Sequence, residues 1–181
     1  LAAVADRTIP RQAITPFHAR QMRGLNDEAL GRTIAEVWGE TRESAADKKA
    51  LIEKLDAELT PDVLAKADKS DGRLVFNAIC AACHRLHGYG GEVGPDLTGA
   101  GRDSLHYLVE NMADPGAQVA ADFRLNVITL KDGRVLSGIV TARSGRTLTI
   151  RTLTEKLTLE RDEIAQSQEL PASMMPEGML T

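Results

Sequence analysis

Apolar positions in the first seventy residues recur at helical spacing. After the capping pair Asn26-Asp27, the side chains Leu30, Ile34, Val37 and Trp38 fall at i, i+4, i+7 and i+8, which predicts a helix with one buried stripe. A second helix is expected from Ser44 to Leu59, presenting Leu51, Leu55 and Leu59 on one face. A third starts at Thr60-Pro61, where Thr caps and Pro suits the first helical position. Shorter helices are predicted from Ser70 to Cys80 and from Asp103 to Met112, the latter turning Leu105, Leu108, Val109 and Met112 inward. Between these two lies Gly88 to Gly101, a glycine-rich loop without periodicity and, with no strand before it and no helix opening from it, no phosphate-binding fingerprint.

At Asp122 the helical period gives way to alternation. Strands are expected at Arg124–Leu130, Val135–Ala142, Thr147–Leu153 and Lys156–Glu160, with a short final piece near Ile164 and hairpin signals at Asp132-Gly133 and Ser144-Gly145. Short strands in this number are expected to close into a small antiparallel β-barrel, because open edges invite aggregation. Leu170 to Thr181 reads as a loop interrupted by Pro171, Pro176 and Gly178, and it carries Met174, Met175 and Met179. The fold class is α+β, divided into a helical N-terminal region at 1–69 and a domain at 70–181 whose β-rich insert spans about 122–166.

With 43% hydrophobic and 27% charged residues, the 181-residue chain is globular in composition, and disordered and fibrous classes are excluded. One Trp, two Tyr and three Phe leave the core to aliphatic side chains, unless a flat cofactor supplies apolar mass. The net charge of −4 gives no general drive toward nucleic acid or anionic membranes, and no apolar run reaches the roughly 18 residues of a membrane span. The charge is uneven: residues 122–161 carry a net +4 and the remainder −8. The chain opens at Leu1 without a basic-then-apolar leader, which points to a processed chain or a segment of a longer one.

Both cysteines fall in Cys80-Ala81-Ala82-Cys83-His84, the pattern of covalent c-type haem attachment. Residues three apart on a helical turn share a face, so two thiols can add to the vinyl groups along one haem edge and the adjoining imidazole can become the proximal iron ligand. Three other readings compete. A dithiol redox pair lacks its βαβ setting, a zinc site would have to draw on His84 with His87 or His106, and a disulfide this short removes little unfolded-state entropy. For the sixth ligand the soft thioethers of Met174 and Met175 are candidates, with Met175 preferred, and the clustered methionines could equally fill gaps beneath a haem edge. His18, His87, His106 and Met112 are lesser candidates. In Gly94-Pro95-Asp96-Leu97 the Pro95 carbonyl is placed to accept a hydrogen bond from Nδ1 of His84, an ordinary turn being the alternative.

Gly72-Arg73-Leu74-Val75-Phe76, the Cys80–His84 motif, Gly91 to Gly99 and Met174-Met175-Pro176-Glu177-Gly178 together resemble the planctomycete and verrucomicrobial type of haem-binding domain, a class I-like cytochrome c with a strand-rich insert. The resemblance covers about residues 70–181. It implies thioethers at Cys80 and Cys83, His84 as proximal ligand, Met175 as distal ligand, Phe76 packed near the ring and Pro95 supporting His84. It also implies that residues 1–69 end a helical region of a larger, dehydrogenase-like protein. Class I cytochromes close with a C-terminal helix, and no such helix follows the methionine loop up to Thr181.

The expected function is that of a monohaem electron-transfer domain rather than an enzyme: one covalently attached haem c, exchanging electrons with a redox partner protein or a dehydrogenase domain in the periplasm or another exported compartment. The alternative is a haem-based sensor or ligand-binding module with a labile distal ligand. A third reading makes the basic strands a nucleic-acid-binding barrel using Arg124, Arg134, Arg143, Arg146 and Arg151; the strands lack stacking aromatics, so an acidic partner or the acidic remainder of the same chain suits that charge better than nucleic acid.

Overall fold

The computed structural model describes residues 1–180; Thr181, the last residue of the expected tail, lies outside the described residues. The chain forms two compact units, each assembled from two stretches: Leu1–Glu40 with Val119–Met174, and Thr41–Gln118 with the described residues from Met175 on. Residues 41–69 join the second unit through packing between side chains distant in sequence, such as Ile52 with Val109 and Ala113.

The first unit holds the helices α1 (Ala2–Ala5), α2 (Pro16–Arg23) and α3 (Glu28–Val37). Asp27 caps α3 by accepting from the Leu30 N–H, and the predicted stripe buries Ile34 and Trp38 completely, with Leu30 and Met22 packed on them. The Trp38 indole N–H donates to the Ile14 carbonyl at 2.6 Å, so the one polar atom of this core has its partner. The strand β1 (Gly39–Thr41) pairs with a later strand, β4 (Gln118–Ala120).

The same unit carries a five-stranded antiparallel sheet from β5 (Arg124–Leu130), β6 (Val135–Arg143), β7 (Thr147–Arg151), β8 (Lys156–Glu160) and β9 (Ile164–Ser173). Ile128, Leu130, Leu148, Ile150 and Leu159 form its core. The strand order is β8-β7-β6-β5-β9, so the sheet is open and the expected barrel closure is absent among the described residues. Its edges are protected in another way. Lys156 and Glu160 terminate β8, and β9 is polar along most of its length and contains Pro171, which can occupy an edge because it has no N–H to offer. β9 also corrects the reading of Leu170 onward as loop: the strand runs through Ser173, which pairs with Arg124.

The second unit contains α4 (Ala46–Glu58), α5 (Pro61–Lys66), α6 (Lys69–Val75), a wide π-helical turn Phe76–Cys80, the two-residue strands β2 (Arg85–Leu86) and β3 (Tyr89–Gly90), and α7 (Leu105–Ala113). Thr60 caps α5 with Pro61 at its first position, Asp68 caps α6 and Ser104 caps α7. Helices α4 and α7 pack through Ile52, Val109 and Ala113, with Leu51, Leu55, Leu59, Leu105 and Leu180 around them. Leu108 and Met112, expected on the inner face, are only half-buried, and Tyr107 and Ala113 are buried instead.

Candidate functional site

The approach to Cys80 is a helix that changes pitch. Asp68 starts α6 by accepting from the Ser70 and Asp71 N–H groups, and at Phe76 the ladder widens, so that the Ala81 N–H reaches back five residues to the Phe76 carbonyl at 2.9 Å. The chain then turns tightly: the N–H groups of Cys83 and His84 both donate to the Cys80 carbonyl, at 3.1 and 2.9 Å. Cys80, Cys83 and His84 are thereby held on consecutive turns of one short segment, both cysteines free thiols and all three half-buried.

The glycine-rich loop folds back against this segment. His87 and Gly88, both at positive φ, make the two-residue turn between β2 and β3, and the His87 N–H donates to the Thr98 hydroxyl at 2.9 Å. A strand of two residues does therefore precede Gly88, but it leads into a hairpin and not into a helix. From Gly91 the backbone is stitched to the cysteine motif by Gly91 N–H to the Ala81 carbonyl, Gly94 N–H to the Cys83 carbonyl and Leu97 N–H to the Arg85 carbonyl, each 2.8 Å. The approach is too close for side chains: a Cβ on Gly90 would collide with the His84 carbonyl, and one on Gly91 with the Ala82 carbonyl. At Gly94 a Cβ would stand 2.5 Å from Cε1 and 2.7 Å from Nδ1 of His84, so the imidazole lies directly on a glycine.

Nδ1 of His84 is 2.9 Å from the Pro95 carbonyl oxygen. A carbonyl can only accept, so Nδ1 carries the hydrogen and the lone pair of the neutral ring resides on Nε2, the form in which histidine binds a metal. Burial, with the neighbouring Cys83 adding to it, pushes the Cys80 thiol above its ordinary range. A redox-active dithiol needs the opposite shift. Among the described residues no group of three or more His, Cys, Asp or Glu side chains could hold a metal ion, so the zinc reading finds no ligand set. The residues do fit a covalently bound haem: two thiols three residues apart, an imidazole with Nε2 open, and apolar surface on the same helical segment, where Phe76 is half-buried and Leu74, Val75 and Ile79 are exposed.

Met174 and Met175 follow the end of β9 and are both half-buried; Met174 closes the first unit, whereas Met175 belongs to the unit that contains Cys80 to His84. The lesser candidates fall elsewhere. His18 closes the capping box of α2 with Thr15, His87 occupies the hairpin turn, Met112 lies on α7, and His106 sits between Asp56, 2.5 Å from its Nδ1, and Glu110, 3.4 Å from its Nε2. The arginines of the strands are largely engaged within the sheet: Arg124 and Arg143 with Glu169, Arg134 with Asp132 and Arg146 with Glu160.

This arrangement is consistent with a c-type haem-attachment site. Residues 70–127 match the family model described as cytochrome c, the stretch from the start of α6 through α7 into β5. No curated protein matches the chain. Covalently attached haem c is the cofactor that the family match implies, and Cys80, Cys83 and His84 are consistent with its attachment motif. The role that goes with it is electron transfer rather than catalysis, and domains of this family are typically exported. Among the described residues no helix is long and apolar enough to cross a membrane.

Sequence reasoning found the motif and the Pro95 carbonyl that holds His84, and missed the close glycine contacts around them. The contacts of Gly90, Gly91 and Gly94 have a signal in the glycine spacing, but only the fold shows which atoms those glycines make room for. The ion pair between Lys48 and Glu177, taken up below, has no local signal at all.

Proposed function

We propose that the chain is a monohaem electron carrier in which Cys80 and Cys83 hold the haem by thioethers, Nε2 of His84 is the proximal ligand and Met175 the distal one. The bound haem supplies a one-electron couple between ferrous and ferric iron. The protein's part is to hold its ligands still through that change. Pro95 fixes the tautomer and orientation of His84, Gly94 lets the ring approach the loop, and Phe76 with its apolar neighbours excludes water from the attachment edge. Met175 is favoured over Met174 because it belongs to the same compact unit as the cysteine motif. The observation that carries the reading is the His84–Pro95 bond, which readies Nε2 for a metal beside two free thiols.

A redox partner protein or a dehydrogenase domain is the donor this role requires, and the periplasm or an equivalent exported compartment is where thioether attachment takes place. The test is spectroscopic. The pyridine haemochrome of the denatured protein should show both vinyl groups saturated, and the pigment should resist acid–acetone extraction. The ferric protein should show a sulfur-to-iron charge-transfer band, and the ferrous protein should take up carbon monoxide slowly. Pigment lost to acid–acetone would overturn the attachment; rapid carbon monoxide uptake at neutral pH would point to the sensor instead.

A further inference from the structure

Lys48 stands in the first turn of α4, outside the segment that matches the cytochrome c model, yet its ammonium group reaches the methionine loop. It donates to a Glu177 carboxylate oxygen at 2.7 Å and to the carbonyl of Ala113, the last residue of α7, at 3.1 Å. A cation at that end of a helix is favoured by the helix dipole. Only 19% of the Lys48 side chain is exposed, so the ammonium is shielded from water although its carboxylate partner is not. Glu177 lies two residues beyond Met175 and is flanked by Pro176, whose ring fixes φ, and by Gly178 at φ +79. Two residues further on, Leu180 packs on the Ile52, Val109 and Ala113 cluster. The loop is thus tied to α4 and α7 at Glu177 and again at Leu180, with a stiff residue and a tight turn between Met175 and the second tie.

We infer that Lys48 is a positioning residue for the distal ligand: its ion pair with Glu177 holds the 175–178 loop so that Met175 is presented to the haem iron. This rests on Met175 being that ligand. Lys48 acts through the loop and touches neither the thiols nor His84. Its bond to Ala113 fixes the ammonium itself, so the anchor is rigid from both sides.

The experiment uses the full haem-loaded chain with Met175→Ala, Lys48→Met, Lys48→Arg, Glu177→Gln and the double variant Lys48→Met/Glu177→Gln. Three quantities are read: haem attachment by pyridine haemochrome, the ferric sulfur-to-iron band, and the rate of carbon monoxide binding to the ferrous protein. Met175→Ala should abolish the band. Lys48→Met and Glu177→Gln should each weaken it and speed carbon monoxide binding about fivefold with attachment unchanged, the double variant should be no faster than either single one, and Lys48→Arg should stay close to the parent. If Lys48→Met does not fold, Glu177→Gln supplies the same comparison, since that side chain is 58% exposed. If Met175→Ala keeps the band, the ligand assignment falls and this inference with it. If Met175→Ala loses the band while Lys48→Met and Glu177→Gln stay within about twofold of the parent rate, or their effects add, the ligand assignment stands and the positioning role is overturned.

Discussion

At Gly94 a single missing carbon decides where an imidazole can lie. Gly94→Ala would set a methyl 2.5 Å from Cε1 of His84, and neither the ring, bonded to Pro95, nor the loop, bonded to Cys83, can yield without losing a hydrogen bond. The expected outcome is a loss of about 1 to 3 kcal/mol in thermal or urea unfolding, together with a shifted low-spin signal in the electron paramagnetic resonance of the ferric protein. An unchanged spectrum would mean that the loop moves away as a body. Asp114 gives a pH-dependent case. Burial raises its carboxyl pKa, but the paired bonds from Arg42, 2.7 and 2.8 Å long, a bond to Ser44 and the charges of Arg42 and Lys48 outweigh burial and leave it below the ordinary range. A depressed folded pKa stabilises above the unfolded value and is lost as pH falls through the folded one, so this contribution is complete at neutral pH and fades only below roughly pH 4. Arg42→Ala strands a carboxylate that is 2% exposed, and should cost about 3 kcal/mol at pH 7, the low end for a broken buried pair because Arg42 is half exposed. The loss should shrink as pH approaches 4 and Asp114 can protonate, which denaturant curves at the two pH values would show. The reach of the Pro95 carbonyl to His84 was legible in the sequence; the Arg42–Asp114 pair, 72 residues apart, had no signature there.

Among the elements, those with an amphipathic period and a capping residue were the legible ones. Asp27 before the Leu30–Trp38 stripe and Thr60-Pro61 before α5 mark real starts, because capping is chemistry between residues two or three apart. β9 was not legible as a strand. Its stretch from Ala165 to Glu169 is exposed and polar, Pro171 argues against pairing, and its place comes entirely from the ladder with β5, to which the isolated sequence gives no clue. The π-helical turn was likewise invisible, since widening a ladder by one residue changes no periodicity that seven residues can reveal. The packing makes two contrasting forecasts. Ile150→Ala, in the fully buried centre of β7, should destabilise by about 2 to 5 kcal/mol in denaturant unfolding, and Pro171→Ala, at an edge that needs no donor, should stay within about 0.5 kcal/mol. A large loss at Pro171 would mean that the residue does more than tolerate the edge.

At the scale of the whole molecule, the family match begins at residue 70, yet the compact unit around it begins at Thr41. The helix packed on α7 through Ile52, Val109 and Ala113 is α4, which comes earlier in the chain than the matched stretch. A fragment starting at residue 70 would expose that apolar face and lose Lys48. It should purify with little stable haem and melt without cooperativity, whereas one starting at Thr41 keeps the packing, and circular dichroism melts of the two decide the matter. Charge at this scale is answered in part by the chain itself: Arg124 and Arg143, within the basic stretch 122–161, pair with Glu169 from beyond it.

The ladder between β5 and β9 sets Ser173 against Arg124, so the chain resumes the haem-bearing unit within a few residues of where it left it. Tethering two points some fifty residues apart in a flexible chain costs on the order of 3 kcal/mol of loop entropy, and the folded sheet has already met that cost before Met175 is reached. The strands from β5 to β9 therefore close a long excursion of the chain on itself. Removing bulk at Ile150, in the core of that sheet, should also loosen the closure at Arg124 and Ser173, and faster amide exchange along β5 and β9 in Ile150→Ala would reveal it.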